Sequence, residues 1–171
     1  MSMTRSRFTM VLVLCGVLLS GIWLGGALAK HKAPQRPSLT QDKINTFLNG
    51  KHNAVLATIK KDGSPQLTPV WYRWDGEQFW VSITTERAKY KNIQRDARFS
   101  LCIDDAATST TVIATGKARL TKDNLWADTQ KIVERYRGLE QGAAYVKGMQ
   151  EKKEPRVLLI LKPDHIISWG Q

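Results

Sequence analysis

The stretch that decides the fold is residues 53–84, which read NAVLATIKKDGSPQLTPVWYRWDGEQFWVSIT. Apolar and polar residues alternate along three runs in this stretch, and a period of two is typical of β-strands. An Asp-Gly pair stands between each run and the next, and Asp-Gly between alternating runs is a strong hairpin signal. The stretch therefore predicts a three-stranded antiparallel meander with strands at 53–60, 66–74 and 77–84.

The same signals extend outward from the meander. We expect a short helix before it, capped by Ser38 or Thr40 and ended by Asn49 and Gly50. Six strands, with a helix after the third and helices between the fifth and sixth, predict a small closed barrel that leaves no free sheet edge. The elements expected after the meander are a helix at 86–96, strands at 99–104 and 111–120, a helix from Asp123 or Asn124 to Gly138, a short helix at 143–152 and a last strand at 156–162.

Composition limits the classes of function. The 171 residues are 42% hydrophobic, which suits one domain with its own core, and the net charge of +11 favours anionic partners. Nucleic acid is not an expected partner, because the cations are dispersed and no stacking platform lies beside a basic groove. Cys15, Cys102 and three scattered histidines predict neither a disulfide nor a metal site. The sequence suggests no catalytic nucleophile and base, so a bound cofactor would have to supply the reactivity.

The N-terminal segment is set apart from the domain. Residues 8–29 carry no charge, follow two arginines and end in Ala-Leu-Ala, which is the pattern of a secretory signal. The run is also long enough to span a bilayer as an uncleaved anchor. Both interpretations stay open: the protein is exported or attached to a membrane, and an anchored domain can face the cytoplasm. The chain is thus divided into a signal or anchor at 1–29, a linker at 30–38 and a single domain at 39–171.

The clearest chemical signal lies where the third strand meets the next helix. Ser82 and Thr84 share one strand face with an indole, and this combination suits a ligand wall better than a core. A threonine at 84 or 85 caps a helix whose free N–H groups and dipole favour an anion. Arg87 and Lys89 oppose that dipole in the first turn, and a bound phosphate would remove the conflict.

Each part of this hypothesis has a simpler alternative. Arg87 shares a helix face with three more cations, and a solvated surface is the interpretation we prefer for Lys91, Arg95 and Arg98. Pro69 cannot donate to a strand ladder, so it predicts an edge, a bulge or a break where a planar ring can lie against backbone. The aromatic residues that follow, Trp71, Tyr72 and Trp74, are otherwise core or dimer-interface side chains.

Five short motifs occur in order: NAVLATI at 53–59, DGSPQLTPVWY at 62–72, RAK at 87–89, NIQRD at 92–96 and TGKA at 115–118. This series resembles the pyridoxamine 5′-phosphate oxidase-like split β-barrels over residues 40–169. It is most similar to the branch that uses the deazaflavin coenzyme F420 rather than FMN. The resemblance implies a mostly β fold with peripheral helices, a six-stranded split β-barrel of the FMN-binding kind.

The resemblance also implies a homodimer with two cofactor sites at the subunit interface. It assigns no catalytic acid or base to the protein, since the cofactor carries the chemistry. Arg87 and Lys89 match the basic pair that grips the cofactor phosphate. The other matching positions are Ala88 through its backbone N–H, Ser82 and Thr84 in the same pocket, Thr68, Pro69 and Val70 beside the ring system, and Tyr72 and Trp169 closing the pocket.

The implied function is an oxidoreductase that transfers a hydride between coenzyme F420, or alternatively FMN, and a small organic substrate. The export-like N-terminus and the absence of an acid–base pair from the sequence pattern favour a second hypothesis. In that hypothesis the protein is a non-catalytic carrier or sensor that holds a flavin, a haem or another tetrapyrrole.

Overall fold

A computed structural model of the chain describes residues 37–170. The predicted signal or anchor at 1–29, Cys15 and most of the predicted linker lie outside the described residues. Among residues 37–170, no helix is both long enough and apolar enough to cross a membrane. In chain order the elements are α1 (Gln41–Asn49), β1 (Ala54–Ile59), β2 (Pro65–Val70), β3 (Arg73–Trp74), β4 (Phe79–Thr84), α2 (Ala88–Arg95), β5 (Arg98–Asp105), β6 (Thr110–Thr121), α3 (Leu125–Arg137), α4 (Leu139–Glu151) and β7 (Arg156–Trp169).

The strands form one antiparallel sheet in the order β2-β1-β5-β6-β7-β4-β3. β2 and β3 are its opposite edges, yet only Trp71 and Tyr72 separate them in the chain. Because consecutive Cα atoms are about 3.8 Å apart, this link spans at most ~11 Å, and the sheet must curl until its edges approach. The prediction of a mostly β split barrel with peripheral helices is confirmed.

The described sheet has seven strands where six were expected, and the barrel is split rather than closed. The predicted second strand ends at Val70 and resumes as the short β3. Between the two pieces, the backbone N–H of Tyr72 donates to the hydroxyl of Tyr136, 3.2 Å away, instead of to another strand. The last strand also runs beyond Lys162 to Trp169, because its second half continues to pair with β6.

Among the described helices, only α1 has a side-chain capping hydrogen bond at its start. α1 begins after Thr40, whose Oγ1 accepts a hydrogen bond from the backbone N–H of Lys43 at 3.4 Å, as predicted. α3 follows Asn124 and ends before Gly138, also as predicted, whereas α4 begins at Leu139 and not at Ala143. Gly138 has a φ of +82°, a conformation that glycine adopts without strain, and this lets α3 turn directly into α4.

The sheet is covered on two sides. Its inner face forms the main core, with Phe79 and Leu159 fully buried. On the outer face, Ile132 of α3 packs against Leu158 of β7. Trp80, the indole expected on a ligand wall, packs against this second cluster, and its Nε1–H donates to Asp75 Oδ2 at 2.5 Å. Helix α3 thereby covers much of the β4 face that the sequence suggested would be open.

Candidate functional site

A cleft of about 440 Å³ lies between the edge strand β2 and strand β4. The end of β2 with the link to β3 forms one wall, and the end of β4 with the start of α2 forms another. The turn from α4 into β7 completes it. The cleft brings together six of the predicted cofactor residues: Pro69, Val70, Ser82, Thr84, Arg87 and Lys89.

The start of α2 differs from the prediction. The helix begins at Ala88 and its N-cap is Arg87, which makes no side-chain capping hydrogen bond. Neither threonine is the cap. The carbonyl of Thr84 accepts from the N–H of Arg87 at 3.3 Å, and the N–H of Thr85 donates to the carbonyl of Pro155 at 2.8 Å. Thr84 is therefore the last residue of β4, Thr85 lies in the turn before the helix, and the start of α2 has no side-chain cap.

Lys89 is a half-buried cation in the cleft. Burial lowers the pKa of its ammonium group, and the nearby Arg87 guanidinium lowers that pKa further. Within residues 37–170, neither Arg87 nor Lys89 takes part in an ion pair. Two neighbouring cations without an anion raise the free energy of the folded protein, and an anion bound between them would lower it.

The hydroxyl of Ser82 is already engaged within the protein. It lies 2.8 Å from the hydroxyl of Thr129, a buried residue of α3. It also accepts a hydrogen bond from Arg156 Nε at 3.1 Å. Ser82 thus lines the cleft chiefly as the residue that holds Arg156 in place.

Arg156, the first residue of β7, is a cleft residue that was not predicted from the sequence. Its Nη2 donates to the carbonyl of Ser82 at 3.0 Å, and its Nη1 donates to Glu154 Oε2 at 2.8 Å. Arg156 and Ser82 lie 74 residues apart in the chain and meet because β7 pairs with β4. The register of β7 against β4 places Arg156 at the cleft. The apolar pattern of the strand does not reveal that register, so Arg156 could not be singled out from the sequence.

Aromatic side chains form a wall of the cleft. The rings of Trp71 and Tyr136 stack with centroids 4.9 Å apart and planes 7° apart. The guanidinium of Arg137 lies 5.6 Å from the centre of the Trp71 ring and 4.2 Å from that of Tyr145. Trp71 and Tyr145 both line the cleft. The wall offers flat apolar surface against which a planar ring can pack.

Four predicted cofactor residues do not line this cleft. Tyr72 is fully buried and its hydroxyl donates to the carbonyl of Leu48 at 3.0 Å. Burial raises the pKa of that hydroxyl. Tyr72 is therefore a core residue, and the prediction that it closes the pocket is wrong. Thr68 lies on β2, Ala88 begins α2, and Trp169 ends β7 opposite Thr111, so their cofactor contacts stay predictions.

Comparison with known proteins extends these observations. A family model described as pyridoxamine 5′-phosphate oxidase matches residues 40–170. The conserved hypothetical protein Rv2991 from Mycobacterium tuberculosis is 29% identical, over 77% of this chain and 85% of that one, with a TM-score of 0.67. An F420 reductase is 25% identical, over 71% of this chain and 94% of that one, with a TM-score of 0.58. General stress protein 26 from Bacillus anthracis, 15% identical over 77% of this chain and 95% of that one, shares the fold with a TM-score of 0.59.

Proposed function

Because the chain belongs to the pyridoxamine 5′-phosphate oxidase family, we propose that it is an oxidoreductase that binds a phosphorylated ring cofactor in the cleft. The cofactor we propose is coenzyme F420, with FMN as the alternative. The observation that carries the proposal is the pair Arg87 and Lys89, which line the cleft and form no ion pair within residues 37–170. The similarity to an F420 reductase favours coenzyme F420 over FMN.

Each part of such a cofactor has a complementary surface. Arg87 and Lys89, with the uncapped N–H groups of α2, suit a phosphate. Pro69 and Val70 are the backbone positions for the ring, and Trp71 lies next to them. When bound, the cofactor would exchange a hydride with a small organic substrate. The residues of the chain would bind and orient both molecules and exclude water from them.

Titration of the purified full-length protein with coenzyme F420, FMN and riboflavin tests this proposal. We expect saturable binding of F420 or FMN and at least about tenfold weaker binding of riboflavin, which lacks the phosphate. Multiple turnover with a reducible substrate would support the oxidoreductase. Absence of saturable binding of both phosphorylated cofactors would contradict the proposal.

A non-catalytic carrier or sensor is the second candidate function. It is favoured by the lining of the cleft. Among the described residues, that lining contains no histidine or cysteine, and two of its charged residues, Glu154 and Arg156, are already paired with each other. Tyr145 also lines the cleft. The absorption spectrum of protein purified from its native host separates the candidates, because flavin, deazaflavin and tetrapyrrole absorb differently. Multiple turnover would rule out the carrier.

An apolar row crosses the outer face of five strands and supports the proposal of a homodimer. Pro69 lies opposite Val55, Val55 opposite Cys102, Cys102 opposite Ile113, and Ile113 opposite Ile167. Val55 is 41% exposed and Ile167 is 60% exposed, while Cys102 is half-buried in the middle of the row. Contiguous exposed apolar surface of this kind marks an interaction site. Pro69 also lines the cleft, so a second copy on this row would border the cleft.

Replacing Val55 by glutamate is expected to convert a dimer into monomers, because a charge in the centre of an apolar interface loses its hydration without gaining a partner. Sedimentation or light scattering measures the change in mass. Leu139→Glu is the matched control, since Leu139 is an exposed apolar residue at the start of α4 and outside the row. A Val55→Glu protein that keeps the mass of the wild-type dimer would contradict this interface.

A further inference from the structure

The cations of the cleft are not equivalent. Arg87 and Lys89 form no ion pair among residues 37–170, whereas Arg156 Nη1 lies 2.8 Å from Glu154 Oε2. The side chains of Arg156 and Glu154 are 12% and 31% exposed. Solvent and salt therefore screen this pair less than they screen pairs on the surface.

The backbone that carries the Glu154 side chain is held by hydrogen bonds on both sides. The backbone N–H of Glu154 donates to the carbonyl of Met149 at 3.0 Å, and the carbonyl of Glu154 accepts from the N–H of Arg156 at 2.8 Å. Arg156 is held in turn by two hydrogen bonds to Ser82 on β4. The turn from α4 into β7 thus places a negative charge in a cleft whose other charged lining residues are cations.

We propose that Glu154 is a specificity determinant that occupies the anion position beside Arg156. An anionic group entering there would have to displace the Glu154 carboxylate and would be repelled by it. The cleft therefore accepts an anionic group beside Arg87 and Lys89 and rejects one beside Arg156. The substrate class that follows, an uncharged organic molecule rather than a carboxylate or phosphate ester, rests on the function proposed above. The distribution of charge in the cleft does not depend on that function.

Inorganic phosphate is the probe, and its apparent affinity is read from the rise in melting temperature with phosphate concentration. We expect Glu154→Gln, which removes the charge and keeps an acceptor for Arg156, to bind phosphate about fivefold more tightly at low salt. The gain should shrink in 0.5 M sodium chloride. Glu154→Asp, which keeps the charge, should bind phosphate as weakly as the wild type does.

Glu151→Gln is the matched control. Glu151 is the last residue of α4, three positions before Glu154, and it is exposed and lies outside the lining of the cleft. It should leave phosphate affinity unchanged, because a change of net charge alone does not open an anion position. A Glu154→Gln protein that binds phosphate no better than the Glu151→Gln protein would overturn the inference.

The proposed function and the role of Glu154 can be contradicted independently of each other. If neither FMN nor coenzyme F420 binds but Glu154→Gln still gains phosphate affinity, the proposed function is wrong and the role of Glu154 stands. If FMN or F420 binds and Glu154→Gln gains no phosphate affinity, the proposed function stands and Glu154 does not select ligands by charge.

Discussion

Replacing Lys89 by alanine is expected to weaken the binding of FMN or coenzyme F420 by about 10-fold to 150-fold. This range corresponds to the loss of a charge-assisted contact worth about 1.5–3 kcal/mol. The folded protein should remain stable, because the pKa of Lys89 is lowered by burial and by Arg87, so its charge is unfavourable when no anion is bound. Cofactor titration measures the first effect and thermal unfolding the second.

Lys91→Ala is the control for this prediction. Lys91 lies on the same helix and carries the same charge, but it is exposed and does not line the cleft. Its loss should change cofactor affinity by less than about threefold, and neither substitution should affect riboflavin. Equal weakening by the two substitutions would show that the net charge of the helix matters and that Lys89 has no specific contact.

Replacing Gly116 by alanine is expected to lower the free energy of unfolding by about 2–3 kcal/mol. A Cβ atom there would lie 2.2 Å from the carbonyl oxygen of Lys162 and 2.9 Å from the backbone nitrogen of Asp164. These are backbone atoms of β7, which cannot rotate aside as a side chain does. The clash falls where the register between β6 and β7 shifts, beside Thr115. Urea unfolding measures the loss.

Gly148→Ala in α4 is the matched control. Among residues 37–170, no heavy atom other than those of its chain neighbours and its own helix backbone lies within 4 Å of a Cβ built on Gly148, and alanine is the better helix former. This substitution should therefore stabilise the protein by about 0.5–1 kcal/mol. If Gly116→Ala leaves the unfolding midpoint unchanged or raises it as Gly148→Ala does, the β6–β7 contact at Gly116 is not as tight as described.

The meander could be predicted because its signals are local. Gly63 and Gly76, the glycines of the two Asp-Gly pairs, have φ values of +82° and +104°, which the hairpin signal requires. Pro69 indicated a break in the second strand. Its position could not be read from the sequence, because it depends on the hydroxyl of Tyr136, 64 residues from Tyr72.

The same distinction between local signals and long-range contacts applies to the candidate site. Arg87 and Lys89 could be predicted from their place just after a strand. The sequence did not show that α3 covers the Ser82 face of β4, because that depends on the contact with Thr129. Glu154 and Arg156 could not be predicted for a similar reason, because the pairing of β7 with β4 brings them to the cleft.

The place of β7 in the sheet also sets the order in which the molecule can assemble. β7 is the last strand to be synthesised, yet it lies between β6 and β4. Until it inserts, β3 and β4 have no ladder to the rest of the sheet, and joining Ser82 to Arg156 closes a long loop at an entropic cost. A growing chain therefore carries Arg87 and Lys89 long before it has a cleft. A ligand that binds the complete cleft therefore stabilises the protein only once β7 has paired.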